Sequence, residues 1–188
     1  CLARPGLLAE VVDAGGPGIA VSGTSGKSTV VGMLAWILRR LDVRATVLGG
    51  AALAGEGTAG LFAAAPAGAP VVAEACESDG TLVGYHPRIG LIHNITRDHG
   101  EVHEVRGQFA TFARQARRLL VNAACPEALA ASAGLERILY GAGGRAEVAL
   151  EVVTAGPHAA RGILAVGGAE IDLALLQPGA HNLDNACA

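Results

Sequence analysis

Short apolar runs alternate along this chain with stretches whose apolar positions recur every third or fourth residue. Gly18-Ile19-Ala20-Val21-Ser22 reads as a buried strand. After it, Val30, Leu34, Ile37 and Leu41 recur at helical spacing, and Arg39 and Arg40 fall near the helix C-terminus, where the backbone dipole favours positive charge. The same alternation predicts strands over Arg44–Leu48, Val71–Ala73 (running into Glu74), Ile89–His93, Leu119–Asn122 and Ile138–Tyr140. Helices are predicted over Gln108–Arg118 and Pro126–Ala131, with a short helical lead carrying Leu7, Leu8, Val11 and Val12. Gly49 to about Pro70 reads as an Ala/Gly-rich connection. From Ala146 the rhythm changes to strand-like runs, Val148–Thr154, Arg161–Val166 and Ala169–Leu175, separated by short turns, and Gly179–Asn185 opens a new helix. The expected fold class is α/β: a mostly parallel sheet flanked by helices, with a small antiparallel β appendage near the C-terminus.

One junction carries chemistry. Gly23-Thr24-Ser25-Gly26-Lys27-Ser28-Thr29 lies between the first strand and its helix, and Lys27 is the only lysine beside thirteen arginines. Small residues let successive N–H groups turn toward an anion, lysine adds a movable charge, and a serine hydroxyl can reach magnesium. The strict phosphate-loop pattern wants a further glycine where Val21 stands, so this is the shorter Gly-Thr-x-Gly-Lys-Ser form. The bland alternative, a turn with a solvated lysine, fits the strand–loop–helix context less well. The sheet is accordingly expected to be of the P-loop type.

Ligands of open parallel sheets sit at the carboxyl ends of the strands. Glu74 ends one strand there, and Asn94 through His99 follow another. Glu74 resembles a metal-supporting acid that could share magnesium with Ser28. The competing readings are a carboxylate capping a nearby helix, or Glu77 or Asp79 serving instead. His99 alone reads as a loop imidazole bonded to Asp98 or Glu101, since magnesium prefers oxygen. His86, His93, His103 and His158 have no partner pattern, and Arg97 reads as a solvated charge.

Composition narrows the classes. The 188 residues suit one domain, of roughly 150 to 200 residues. A net charge of −3, with three Phe, two Tyr and one Trp, disfavours nucleic acid. The longest uncharged tract with much apolar content, Gly57 to Ala73, holds Pro66, Pro70 and glycines and is no membrane span. Cys1, Cys76, Cys125 and Cys187 lie far apart and read as reduced thiols of a cytoplasmic protein. Nothing in the pattern specifies an oligomeric state.

Three separated motifs resemble the Mur ligases, ATP-dependent enzymes that build the peptidoglycan stem peptide. They are Gly23 through Thr29; Glu74-Ala75-Cys76-Glu77-Ser78-Asp79 with Asn94-Ile95-Thr96-Arg97-Asp98-His99; and His181-Asn182-Leu183-Asp184-Asn185-Ala186. They follow the family's order, span nearly the whole chain and correspond to its central ATP-binding domain. The Glu-Ala-x-Glu-Ser-Asp segment looks most like the alanine-adding and murein-tripeptide-recycling branches. Other branches, and the related folylpolyglutamate synthases, use a carbamylated lysine, and no lysine besides Lys27 exists here. Two departures stand out: Ser25 where His or Asn is frequent, and Thr96-Arg97 where an acidic or small pair is common.

The resemblance implies ATP and Mg2+, with Lys27 on the β- and γ-phosphates and Ser28 and Glu74 on magnesium. It also implies that His99 helps hold a second divalent ion near the acceptor carboxylate, and that Asn182 and Asn185 contact adenine with His181 beside them. The asparagines could also cap the new helix. The implied reaction phosphorylates a substrate carboxylate, and an amine then attacks the acyl phosphate. The implied partners are a UDP-sugar carboxylate, UDP-N-acetylmuramate, and L-alanine or a recovered murein peptide. Residues 1–188 are expected to form the central domain alone, without the UDP-binding and amine-binding domains, and not to ligate by themselves. The alternatives are a P-loop NTPase or kinase, and a non-catalytic nucleotide-binding module.

Overall fold

The computed structural model describes residues 4–14, 16–52, 59–78, 80–96, 102–143 and 146–188. The elements run α1 (Arg4–Ala14), β1 (Gly18–Ser22), α2 (Lys27–Arg40), β2 (Thr46–Ala52), β3 (Ala59–Ala63), β4 (Val71–Ala75), a 3-10 turn (Thr81–Gly84) and β5 (Ile89–Ile92). They continue α3 (Val102–Gln115), β6 (Arg118–Asn122), α4 (Pro126–Ala131), β7 (Ile138–Gly141), β8 (Val148–Ala155), β9 (Ala160–Val166), β10 (Ala169–Leu175) and α5 (Ala180–Cys187). Among these residues the strands form one ten-stranded sheet, ordered β10-β9-β8-β7-β6-β5-β1-β4-β2-β3.

Seven neighbouring strands, β8 through β2 in that order, are parallel, and β3, β9 and β10 are antiparallel to their neighbours. The C-terminal meander therefore continues the main sheet through a parallel β7–β8 pairing. β1 lies between β4 and β5, with the chain leaving it toward β2 on one side and later running to β6 and β7 on the other. In open parallel sheets such a reversal is where ligands bind, here at the carboxyl end of β1.

Alternation in the strands splits the core into two layers. One face packs Ala20, Ala73, Ile92 and Val121 against α1, α3, α4 and the 3-10 turn, with Phe109 and Phe112 one turn apart on α3. The other packs Val21, Val72, Leu91 and Tyr140 under α2 and α5. Gly90 lets α3 approach, since a Cβ there would lie 2.7 Å from Ala116 Cβ and 3.1 Å from the Phe112 ring. Ile92 is fully buried, so Ile92→Val is expected to lower unfolding free energy by about 0.5–1.5 kcal/mol, read as a shifted denaturant midpoint.

Four expectations change. The Ala/Gly-rich connection contains the edge strand β3, and β2 reaches Ala52. α3 ends at Gln115, because Arg118 joins the ladder opposite Ile89 as the first residue of β6. α2 buries Val30 and Val31, with Leu34, Ala35 and Leu38 packed behind them, while Ile37 and Leu41 are exposed. Trp36 is also exposed, with the Arg40 guanidinium 5.7 Å from its ring centre. No helix among the described residues is long and apolar enough to cross a membrane.

Candidate functional site

The β1–α2 loop is fastened to the end of β5 by one side chain. Asn94 Oδ1 accepts from Ser25 N–H at 2.9 Å, and Asn94 Nδ2 donates to Ser25 O at 3.0 Å. Thr24 N–H donates to Asn94 O at 3.0 Å, and Thr96 N–H donates to Thr24 Oγ1 at 3.0 Å. Below the loop, Ser22 Oγ donates to Leu91 O at 2.6 Å and His93 N–H to Ser22 O at 2.9 Å. The loop is thus preshaped by its neighbouring strand.

Gly26 closes the loop in the left-handed region, at φ 82°, and opens α2 without any side-chain cap. The N–H groups of the first turn, where Lys27, Ser28 and Thr29 sit, have no intrahelical acceptor, and the helix dipole adds positive potential there. Lys27 folds back over this mouth: its Nζ donates to Gly23 O and, at 3.0 Å, to Glu77 Oε2. The Glu77 side chain is only 2% exposed, so this pair is an ion pair largely removed from water.

Glu74 faces the α2 side of the sheet, and its Oε1 accepts from Gly50 N–H on β2. The carboxylate bonded to Lys27 is therefore that of Glu77. His99 lies outside the described residues, as do Asp79, Arg97, Asp98 and Glu101. His181, Asn182 and Asn185 lie on α5, where Gly179 occupies the N-cap without a side-chain bond. Asn182 Nδ2 donates instead to Pro178 O at 2.8 Å, so the asparagines do not cap that helix. Exposed His181 sits with Nε2 3.2 Å from Asn182 Nδ2. The fold brings α5 against α2, and a Cβ on Gly26 would lie 2.5 Å from Asn185 Oδ1. The first and third sequence motifs therefore meet, and Glu77 joins the middle one to Lys27.

Sequence reasoning missed His93 and Tyr140. His93 follows β5 and is buried against the loop, with its Nδ1 2.8 Å from the hydroxyl of buried Tyr140. The two rings are nearly parallel. Burial lowers the His93 pKa, and a hydrogen bond to Asn185 offsets this in part. Burial likewise raises the Tyr140 hydroxyl, and it pushes the Cys187 thiol up to about 11. Asp184 is raised by burial, against the lowering effect of His181.

An imidazole with a depressed folded pKa stays neutral while its unfolded counterpart, near pKa 6.5, takes up a proton. His93 therefore contributes stability that is complete above pH 6.5 and is lost as pH falls through the folded value. Melting curves from pH 7.5 to 5 are expected to show a loss of up to about 1.4 kcal/mol per pH unit from this group. His93→Phe should flatten that part of the profile; an unchanged slope would exclude the assignment.

Known proteins extend this picture. The family profile described as the Mur ligase middle domain matches residues 21–188. A UDP-N-acetylmuramate–L-alanine ligase of Kineococcus radiotolerans is 36% identical, aligned over 100% of this chain and 41% of its own length. One from Frankia alni is 37% identical over 90% of this chain and 32% of its own. The chain thus spans about two fifths or less of these curated relatives. In fold it resembles UDP-N-acetylmuramate–alanine ligase of Thermotoga maritima, with a TM-score of 0.74 at 24% identity, covering 89% of this chain and 39% of that one. It also resembles the UDP-N-acetylmuramate:L-alanyl-gamma-D-glutamyl-meso-diaminopimelate ligase of Neisseria meningitides, with a TM-score of 0.79 at 20% identity, covering 99% and 63%. With the profile running from the end of β1 to the last residue of the chain, this protein belongs to the Mur ligase middle-domain family.

Proposed function

We propose that this chain is the nucleotide-handling central domain of an ATP-dependent, cytoplasmic ligase of peptidoglycan synthesis that joins UDP-N-acetylmuramate to L-alanine. The observation that carries the reading is the entrance to α2, where an uncapped helix start follows a clamped glycine loop and Lys27 lies across the mouth. Such a mouth suits a polyphosphate: main-chain N–H groups, the helix dipole and one mobile cation converge without any covalent nucleophile. Gly23 through Thr29 would hold the phosphates, and His181, Asn182 and Asn185 would lie on the base side.

Magnesium fits the oxygen donors offered by Ser28 in the first turn of α2 and Glu74 on the neighbouring strand. Glu74 is anchored through Oε1 and keeps Oε2 outside that bond. His99 is proposed as the helper for a second ion near the acceptor carboxylate. When bound, the metal supplies charge neutralisation on the phosphates. The residues of this chain bind, orient and stabilise developing charge. The γ-phosphoryl group passes to the substrate carboxylate, the amine attacks the resulting acyl phosphate, and the tetrahedral intermediate collapses to amide and phosphate.

L-alanine is preferred over a recovered peptide because the curated relatives are alanine ligases. The UDP-sugar and the amine are assigned to parts of the longer protein, so these 188 residues alone are expected not to ligate. The test is phosphate release by the full-length protein with ATP, UDP-N-acetylmuramate and each candidate amine in turn. Release that requires both the sugar nucleotide and L-alanine supports the reading. Release without any acceptor would instead make the protein a simple NTPase, and ATP binding without turnover a non-catalytic module.

A further inference from the structure

Beneath the β1–α2 loop runs a line of buried polar groups in which the proposed function gives His93 and Tyr140 no task. Tyr140, His93 and Asn185 are 1%, 4% and 6% exposed. The Tyr140 hydroxyl lies 2.8 Å from His93 Nδ1, and the imidazole is hydrogen-bonded to the Asn185 side chain. Asn185 Nδ2 donates to Asn182 Oδ1 at 3.2 Å, and Asn182 Nδ2 donates to Pro178 O at 2.8 Å.

One arrangement of protons satisfies the whole line. Asn182 turns its NH2 to a carbonyl, so its Oδ1 faces Asn185 Nδ2, and Asn185 Oδ1 is left for the imidazole. Gly26 fits the same order: its absent Cβ would fall 2.5 Å from Asn185 Oδ1 and 3.2 Å from His93 Nε2. Nε2 therefore carries the single proton of a neutral imidazole, and Nδ1 accepts from Tyr140. The ladder makes the Tyr140 contact possible. His93 follows the residue paired with Val121, and Tyr140 pairs with Asn122, so the two side chains reach across β6 on one face.

We propose that His93 is a positioning residue for base recognition, fixing the amide orientation of Asn185 and, through it, Asn182 from beneath the phosphate-binding loop. The proposal rests on the reading of those asparagines as base-side residues. An asparagine amide can turn over at little steric cost, exchanging its donor for its acceptor. Adenine offers an amino donor where guanine offers a carbonyl acceptor, so a reader free to turn distinguishes them poorly. Locked from the loop side, the amide presents one pattern, and the same glycine that shapes the phosphate cradle leaves room for the lock.

The test measures binding of ATP, GTP and inorganic triphosphate to the protein by calorimetry, for wild type, His93→Phe and His93→Gln. Wild type is expected to prefer ATP. His93→Phe should lose about tenfold or more of that preference. His93→Gln, whose amide nitrogen can still donate to Asn185, should retain most of it. Triphosphate affinity should stay within about twofold throughout, because the loop clamp by Asn94 is untouched.

Preserved ATP preference in His93→Phe overturns the proposal, as does a parallel loss of triphosphate, which would make His93 a support of the loop alone. A wild type that binds triphosphate but does not prefer ATP overturns the base-side reading of the asparagines, and the proposal with it. Nitrogen-detected NMR of the unmutated protein gives a further check. A proton on His93 Nε2 supports the proposal, and one on Nδ1 sinks it.

Discussion

Lys27→Ala is expected to cut nucleotide-driven phosphate release by the full-length protein by about 10²–10³-fold or more, the cost of removing one preorganised charge from a phosphoryl-transfer site. It is also expected to destabilise the fold, and the two effects have different origins. The first belongs to Lys27 as a cation at the start of α2. The second belongs to Glu77, whose side chain is 2% exposed and which Lys27 pairs at 3.0 Å. Deleting the lysine leaves a buried carboxylate uncompensated, at a cost of about 3–5 kcal/mol. A loss of activity in Lys27→Ala alone therefore does not identify a catalytic role. Lys27→Ala combined with Glu77→Gln separates the effects, because the neutral amide removes the stranded charge. The double variant should recover most of the melting temperature and none of the phosphate release. Recovery of both would make Lys27 a structural counter-ion and remove the phosphate reading of this loop.

The geometry also fixes where Lys27 sits. Its Nζ is held by Glu77 and by Gly23 O. Glu77 thus keeps the lysine near the mouth, a constraint that a solvated lysine would not have.

What the sequence disclosed follows from where the physics is local. The central parallel strands β1, β4 and β5 are largely buried on both faces and read as apolar runs, and α4 and β10 fall where the pattern puts them. The loop was legible because glycine, lysine and serine act through their own backbone and nearest neighbours. α2 misled because Val30 through Leu38 are apolar nearly all round, so two stripes fit the helical period and only tertiary packing chooses Val31, Ala35 and Leu38 over Ile37 and Leu41. β3 was hidden because small residues give little strand signal, and its pairing with β2 supplies what propensity does not. Spacing puts Glu74 ahead of Glu77 as the metal-supporting acid, because it ends the apolar run of β4, and it does not foresee the partner of Lys27. Only the turn after Ala75 delivers Glu77 to the lysine. His93 and Tyr140 were illegible for a simpler reason: their contact spans 47 residues and depends on the order of β5, β6 and β7.

Gly26→Ala is the second large effect expected, and it tests how tightly the three motifs are joined. The residue sits at φ 82°, where an L-residue with a side chain costs about 1–2 kcal/mol. The new methyl would also lie 2.5 Å from Asn185 Oδ1 and 3.1 Å from the His93 ring, both buried. Neither neighbour can retreat easily: His93 is tied to Tyr140, and Asn185 to Asn182 on α5. Relieving the overlap by shifting buried groups costs about 1–3 kcal/mol more. The predicted total is about 2–5 kcal/mol, with nucleotide affinity reduced by about tenfold or more as α5 or the loop gives way. Melting and ATP titration on the same preparation measure both quantities. If Gly26→Ala loses affinity but keeps its melting temperature, the loop yields and α5 stays in place. If both fall together, loop and helix move as one body. If neither changes, the cradle is not packed against α5, and the junction of the first and third motifs fails with it.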